Sequence, residues 1–268
     1  MPADLTGLPI VITGASSGIG RATALACAAA GMPVVLAARR TDRLEDAVGE
    51  IERKGGRAVA VECDVAREAD CERAVAWCVE RFGSVYSVFA NAGYGLERAV
   101  HETPDPDLRR IFEVNLFGTM SIIRPALQHM LVARRGHVLI CSSCLARMPI
   151  AHGGAYSATK AAQHHLARAM RIELAPKGVC VSSVHPIGTR TEFFEVAGSD
   201  IKTSGPPEAF MQSPGVVASR VVRCLRRPRP EAEVWPGLVA HALRLTMAGV
   251  SVWPALGDAV MRLADRKK

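Results

Sequence analysis

The sequence predicts an α/β protein in which a parallel sheet is wound on both sides by helices, and three observations carry this. Apolar runs recur at 8–13, 34–38, 58–61, 85–90, 137–141 and 179–184. Each is nearly continuous in hydrophobicity rather than alternating, as parallel strands covered on both faces require. Segments with helical spacing separate them, among them "RATALACAAAG", "TDRLEDAVGEIERKGG" and "EADCERAVAWCVERFG", each ending at a glycine stop. Strand and helix alternate six times, and right-handed crossovers make such an alternation a Rossmann-like doubly wound sheet.

The chain of 268 residues is expected to form one domain, 1–268, since α/β folds of this length occur as single units. A core of that size needs no disulfide or metal staple. The first strand, "LPIVIT", follows Met1 within a few residues and without a basic leader, so no secretory signal is expected. Eight cysteines in such a chain read as reduced and buried, which points to the cytoplasm. The uncharged stretch 22–38 is broken by Gly31-Met32-Pro33 and reads as a helix followed by a strand rather than a membrane span.

"TGASSGIG", residues 13–20, links the first strand to the first helix. Gly14, Gly18 and Gly20 keep side chains away, so a pyrophosphate can approach the backbone and the helix N-terminus; Ser16, Ser17 and Ile19 complete the turn. The second strand ends "VLAARR". A dinucleotide with a free 2′-hydroxyl is usually held here by an acidic residue, whereas this chain has Arg39 after Ala38. A guanidinium grips a 2′-phosphate, and no carboxylate follows to repel one, so NADP is expected over NAD, with Arg40 and Arg43 as helpers.

The stretch "CSSCLARMPIAHGGAYSATK", 141–160, offers two chemistries. Cys141 and Cys144 have the C-x-x-C spacing, but no second such pair completes a zinc site, and the pair closes the fifth strand rather than opening a helix. No metal is expected. Tyr156 and Lys160 stand at i and i+4 and share a helix face. A nearby cation can lower a phenol from roughly 10 by about 1–3 units, toward the range of efficient acid–base catalysis. Ser143 precedes Tyr156 by thirteen residues, at a strand end that borders the ligand crevice. Its hydroxyl can hold the oxygen that Tyr156 protonates. The pair His164-His165 reads as helix surface.

With "TGASSGIG", "CDV" at 63–65, "NAG" at 91–93, "VNLFG" at 114–118, "SS" at 142–143 and "YSATK" at 156–160, the chain resembles the short-chain dehydrogenase/reductase superfamily from residue 8 to about 195. The motifs stand in the family's order and spacing. The resemblance implies adenine contacts from Asp64 and Val65, and a ribose side lined by Asn91, Ala92 and Gly93. It implies a catalytic set of Asn115, Ser143, Tyr156 and Lys160, with Lys160 also on the nicotinamide ribose and Asn115 positioning a helix or a water for proton relay. Ser142 is the lesser of the two serines by the family's spacing. It further implies nicotinamide contacts from Pro186, Ile187, Gly188, Thr189 and Thr191. There the chain departs from the family: "HPIGTRTEF" has Ile187 where the family has glycine after proline, and isoleucine is uncomfortable at positive φ.

Residues 187–215, rich in Pro and Gly, read as a substrate lid. Residues 237–266 read as a helical C-terminal extension: a cap, an oligomer contact or, being basic and amphipathic, a peripheral membrane contact. Five arginines between Arg220 and Arg229 supply part of the net charge of +7 and read as a solvated face; no nucleic-acid signature accompanies them. The expected activity is NADP-dependent interconversion of a carbonyl and a secondary alcohol on a mainly apolar small molecule, by a homodimer or homotetramer. The alternatives are a 3-oxoacyl thioester (acyl-carrier-protein) reductase whose arginines dock an acidic carrier, and a non-catalytic dinucleotide-binding protein.

Overall fold

The computed structural model describes residues 2–193 and 211–234. Seven parallel strands form one sheet in the order β3-β2-β1-β4-β5-β6-β7. They are β1 (Ile10–Thr13), β2 (Val34–Ala38), β3 (Ala58–Glu62), β4 (Ser87–Ala90), β5 (Gly136–Cys141), β6 (Val179–Pro186) and β7 (Glu231–Val234). The helices are α1 (Gly18–Ala29), α2 (Thr41–Arg53), α3 (Glu68–Phe82), α4 (Asp105–Phe112), α5 (Gly118–Ala133), α6 (Gly154–Leu174) and α7 (Pro214–Arg226). The seventh strand lay outside the sixfold alternation. "EAEV" is short and half charged, and among the described residues it pairs with β6 alone, at Ser183↔Glu231 through Pro186↔Val234.

Alternation along each strand divides the core. Ile10, Ile12, Val34, Leu36, Phe89 and Leu139 face α1, α2 and α7, meeting Ala24, Cys27, Leu44, Val217 and Leu225. Val11, Val35, Val88, Val138 and Ile140 face α3, α5 and α6, meeting Ala74, Val75, Ile122, Met130 and Ala167. Burial on both faces is why these runs carry no polar alternation. The chain runs outward from β1 through β2 to β3 and then returns across β1 to β4, whose Val88 pairs with Val11 on the opposite side from Val35. The strand order therefore reverses between β1 and β4, and it is at the carboxyl ends of such a pair that ligands bind in sheets of this kind.

The uncharged stretch 22–38 divides into the body of α1, a turn with Gly31 at φ +86°, and β2. Among the described residues no helix is long and apolar enough to cross a membrane. The expected extension at 237–266 lies outside the described residues, as do 194–210 of the expected lid. The two described ends of that lid run side by side: Arg190 N donates to Gln212 O at 2.9 Å, and Gln212 N donates to Gly188 O at 2.9 Å.

His137 on β5 is fully buried, with Nε2 2.8 Å from Ser182 Oγ, and burial pushes its imidazole down to about 4. The unfolded chain therefore takes up more protons below pH 6.5 than the folded one, and stability present above that pH is lost toward pH 4. The expected slope from this residue is ~1.4 kcal/mol per pH unit. Urea unfolding across that window checks it, and His137→Gln should flatten the slope.

Candidate active site

The turn after β1 is shaped by glycine where backbone meets backbone. Gly14 has φ +65°, and a Cβ there would stand 3.0 Å from Ala92 Cα. Gly18 has φ +53°, and its Cβ would stand 2.8 Å from the Thr191 methyl. The end of β4 is tied to this turn: Thr13 Oγ1 accepts from the backbone N–H of Asn91 at 3.0 Å and of Ala92 at 3.1 Å, while Asn91 Nδ2 donates to Thr13 O at 3.0 Å. Ser17 at the start of α1 makes no side-chain cap, and the first turn, which includes Ile19, holds no acidic residue. The leading N–H groups of α1 therefore suit an anion, so the turn fits a dinucleotide pyrophosphate.

The two arginines after β2 take different positions. Arg39 is exposed at the end of β2. It is Arg40 that reaches the turn, donating from Nη2 to Ser16 Oγ at 3.1 Å and to Ser17 Oγ at 3.0 Å. A carboxylate also stands there, brought from beyond β6 rather than from the end of β2. Glu192 pairs with Arg40 Nη1 at 2.9 Å and with Arg43 Nη1. Just past β3, Asp64 Oδ1 accepts from Ala66 N at 3.1 Å, Asp64 Oδ2 pairs with Arg110 at 3.5 Å, and Val65 is buried against Gly118.

Asn115 lies in a π-helical turn, Glu113–Phe117, that joins α4 to α5; such turns recur where a helix is distorted for function. Its amide is fully committed. Oδ1 accepts from Tyr94 N at 3.0 Å, and Nδ2 donates to Tyr94 O at 3.0 Å and Thr159 Oγ1 at 3.2 Å. Its backbone carbonyl accepts from Gln163 Nε2 at 2.6 Å. Gly93 fits beneath it, since a Cβ there would stand 2.9 Å from Asn115 Oδ1 and 3.7 Å from Lys160 Nζ. Gln163 was not anticipated, although 156, 160 and 163 follow one helical face.

Ser143, Tyr156 and Lys160 converge at the carboxyl end of β5. The Ser143 hydroxyl lies close enough to the Tyr156 phenol to lower it, and accepts from Leu145 N at 3.1 Å. Ser142 is turned away, donating to Lys160 O at 3.1 Å. Lys160 is buried, with Nζ 5.6 Å from the Tyr156 ring centroid and donating to Cys141 O at 2.8 Å. The expectation of an acidified phenol does not hold in this arrangement. Burial raises the Tyr156 hydroxyl above its ordinary 10, outweighing the lowering by Ser143, because desolvation penalises the phenolate while the ammonium is spent on a backbone carbonyl. Burial also lowers Lys160. Phe193 meets the Tyr156 ring edge-on at 5.3 Å.

Burial pushes the Cys144 thiol up to about 11, and Cys141 moves in the same direction, so neither is a thiolate at neutral pH. His164 is buried rather than on the helix surface; only His165 is exposed. The His164 ring meets that of His185 at 5.0 Å and lies 3.7 Å from Glu231 Oε1. Burial and His185 push the imidazole of His164 down to about 4. Pro186, the last residue of β6, is buried, and Ile187 and Gly188 after it are half-buried. Ile187 does not take positive φ, so the turn avoids the conformation that isoleucine resists. Thr189 Oγ1 donates to Ile187 O at 2.9 Å.

The profile of the short chain dehydrogenase family matches residues 9–202. The chain belongs to the short-chain dehydrogenase family. A fatty acyl-CoA reductase of Acinetobacter baylyi is 32% identical over 262 residues, covering 97% of this chain and 85% of the relative. An alcohol dehydrogenase from the archaeon Thermococcus sibiricus, solved with 5-hydroxy-NADP, has a TM-score of 0.76 at 31% identity, covering 85% of this chain and 96% of that one. A 3-ketoacyl-(acyl-carrier-protein) reductase of Brucella melitensis, solved with NADH, has a TM-score of 0.78 at 27% identity, covering 87% and 98%. As a short-chain dehydrogenase, the chain is an oxidoreductase, and its solved relatives bind nicotinamide dinucleotides of both kinds.

Proposed function

We propose that this short-chain dehydrogenase uses NADP(H) to interconvert a carbonyl and an alcohol on a mainly apolar molecule, with fatty carbonyl compounds as the substrate class. The observation that carries the chemistry is the convergence of the Ser143 hydroxyl, the Tyr156 phenol and the buried Lys160 ammonium beside the glycine-lined crevice. The substrate class is supported by the fatty acyl-CoA reductase match, which runs over almost the whole chain. NADP is supported by Arg40 and Arg43 at the turn.

When bound, the dinucleotide supplies hydride to the carbonyl carbon. Gly14, Ser16, Ser17, Gly18, Ile19, Gly20 and Arg40 hold its phosphates, with Asp64 and Val65 at the adenine and Asn91, Ala92 and Gly93 at the ribose. Arg39 stays a candidate 2′-phosphate ligand. Pro186 to Thr189 and Thr191 border the nicotinamide. Ser143 orients the carbonyl oxygen, and Tyr156 donates the proton that completes the alcohol. Its raised affinity for the proton suits an acid that must arrive protonated at neutral pH. Lys160 stabilises the phenolate left behind, and Asn115 holds Gly93 and Tyr94 against α6.

Purified protein offered NADPH or NADH with fatty aldehydes and acyl-CoA thioesters of increasing chain length should oxidise NADPH faster, with KM falling as the chain lengthens. A KM independent of chain length overturns the substrate class, and equal rates with both dinucleotides overturn the cofactor preference. A 3-oxoacyl thioester reductase is the second reading, supported by the Brucella relative and by the exposed Arg223, Arg226, Arg227 and Arg229. For that reading, salt must weaken a carrier-dependent rate more than the rate on a free thioester. The assembly we propose is a cytoplasmic homodimer or homotetramer, with residues 187–215 as substrate lid and residues 237–266 as a cap, an oligomer contact or a peripheral membrane contact.

A further inference from the structure

The residues just past β6 cross back over the dinucleotide turn, with the Thr191 methyl against Gly18. The next side chain, Glu192, divides its carboxylate between two guanidiniums: Oε2 stands 2.9 Å from Arg40 Nη1, and Oε1 pairs with Arg43 Nη1. Arg40 at the same time holds Ser16 and Ser17 of the turn. Two guanidiniums thus hold one carboxylate beside the glycine loop, one of them anchored on two hydroxyls of the turn, in the fork geometry that guanidiniums offer to carboxylate and phosphate alike.

The sequence between β2 and α2 contains no acidic residue to meet a ribose 2′-hydroxyl. Folding brings one to that place from 152 residues away. We infer that Glu192 is a specificity-determining residue for the dinucleotide: its carboxylate occupies the Arg40–Arg43 pair, so a 2′-phosphate must displace it while a free 2′-hydroxyl need not. The inference rests on the reading that the turn at 13–20 binds a dinucleotide.

The exchange is physically accessible. The side chains of Arg40, Arg43 and Glu192 are 43%, 42% and 36% exposed, and ion pairs this open are weak and yield to a competing anion. A phosphate monoester carries more charge than a carboxylate and more acceptor oxygens. It can take both guanidiniums, but only once the like charge of Glu192 has left. The pair therefore has two alternative anionic partners, and the affinity for the phosphorylated cofactor is reduced by the cost of removing the first. Glu192 is held below the ordinary carboxylate range by the same two arginines, so it remains a charged competitor throughout the neutral range.

The test uses the full chain and four probes: NADPH, NADH, 2′,5′-ADP and 5′-AMP, with dissociation constants measured by calorimetry at low salt. Glu192→Gln should tighten NADPH and 2′,5′-ADP by roughly fivefold to tenfold while leaving NADH and 5′-AMP within about twofold. Glu192→Asp, which keeps the charge, should stay near the parent protein, and the gain in Glu192→Gln should shrink as salt is raised. Unchanged NADPH and 2′,5′-ADP affinities in Glu192→Gln overturn the inference, as does an equal gain for all four probes. Absence of binding by either dinucleotide to the parent protein overturns the dinucleotide reading itself, a result distinct from both.

Discussion

Tyr156→Phe should bind NADPH as the parent protein does and reduce carbonyl substrates about a hundredfold to ten-thousandfold more slowly, the range a positioned general acid contributes. The substitution removes only the hydroxyl. The ring keeps its edge contact with Phe193 and its place 5.6 Å from Lys160 Nζ, so melting temperature should barely move. NADPH fluorescence titration separates binding from turnover, and the absorbance of the reduced cofactor reads the rate. The pH profile carries a second expectation. Burial raises the phenol, so the acid form persists through neutral pH. Reduction should then be flat there and fall only under alkaline conditions, while oxidation of the alcohol, which needs the phenolate, should climb with pH. Undiminished turnover in Tyr156→Phe would remove the mechanism.

Gly20→Ala should cost more than any other single methyl in the nucleotide turn. A Cβ at Gly20 would stand 2.2 Å from Gly14 O and 2.7 Å from Asn91 Nδ2. The first is backbone and cannot swing aside; the second is already donating to Thr13 O. Relief requires α1 to shift away from β1, which opens the turn and pulls Asn91 from its partners. Overpacking of this kind costs about 1–3 kcal/mol, and displacing a binding loop by even an ångström costs on the order of a hundredfold in function. Dinucleotide affinity and urea stability should therefore fall together. Gly49→Ala in α2 serves as the control: nothing lies within 4 Å of its Cβ, and it should stabilise by about 0.5–1 kcal/mol through helix propensity alone.

The six apolar runs coincide with six strands because burial on both faces leaves a purely local signature. The seventh strand left none, since an edge strand of four residues with two glutamates looks like any loop. Tyr156 and Lys160 share a face of α6 as their spacing implies, and Gln163 continues that face into the carbonyl of Asn115. The same periodicity could have identified it. Nothing in the sequence near His164 signals that β6 and β7 bring His185 and Glu231 against it and bury it.

By itself the sequence determined the winding of the sheet, the glycine turn that opens α1 and the helical face bearing Tyr156 and Lys160. Each depends on residues within a few positions of one another, whose spacing survives in the linear chain. Only the tertiary structure decided that Arg40 rather than Arg39 reaches the turn, that Glu192 neutralises it from beyond β6, and that burial makes the Tyr156 phenol a weaker acid than an adjacent lysine would suggest. Charge pairing and desolvation depend on which groups the crossovers bring together and how much water they exclude, and no local pattern records either quantity.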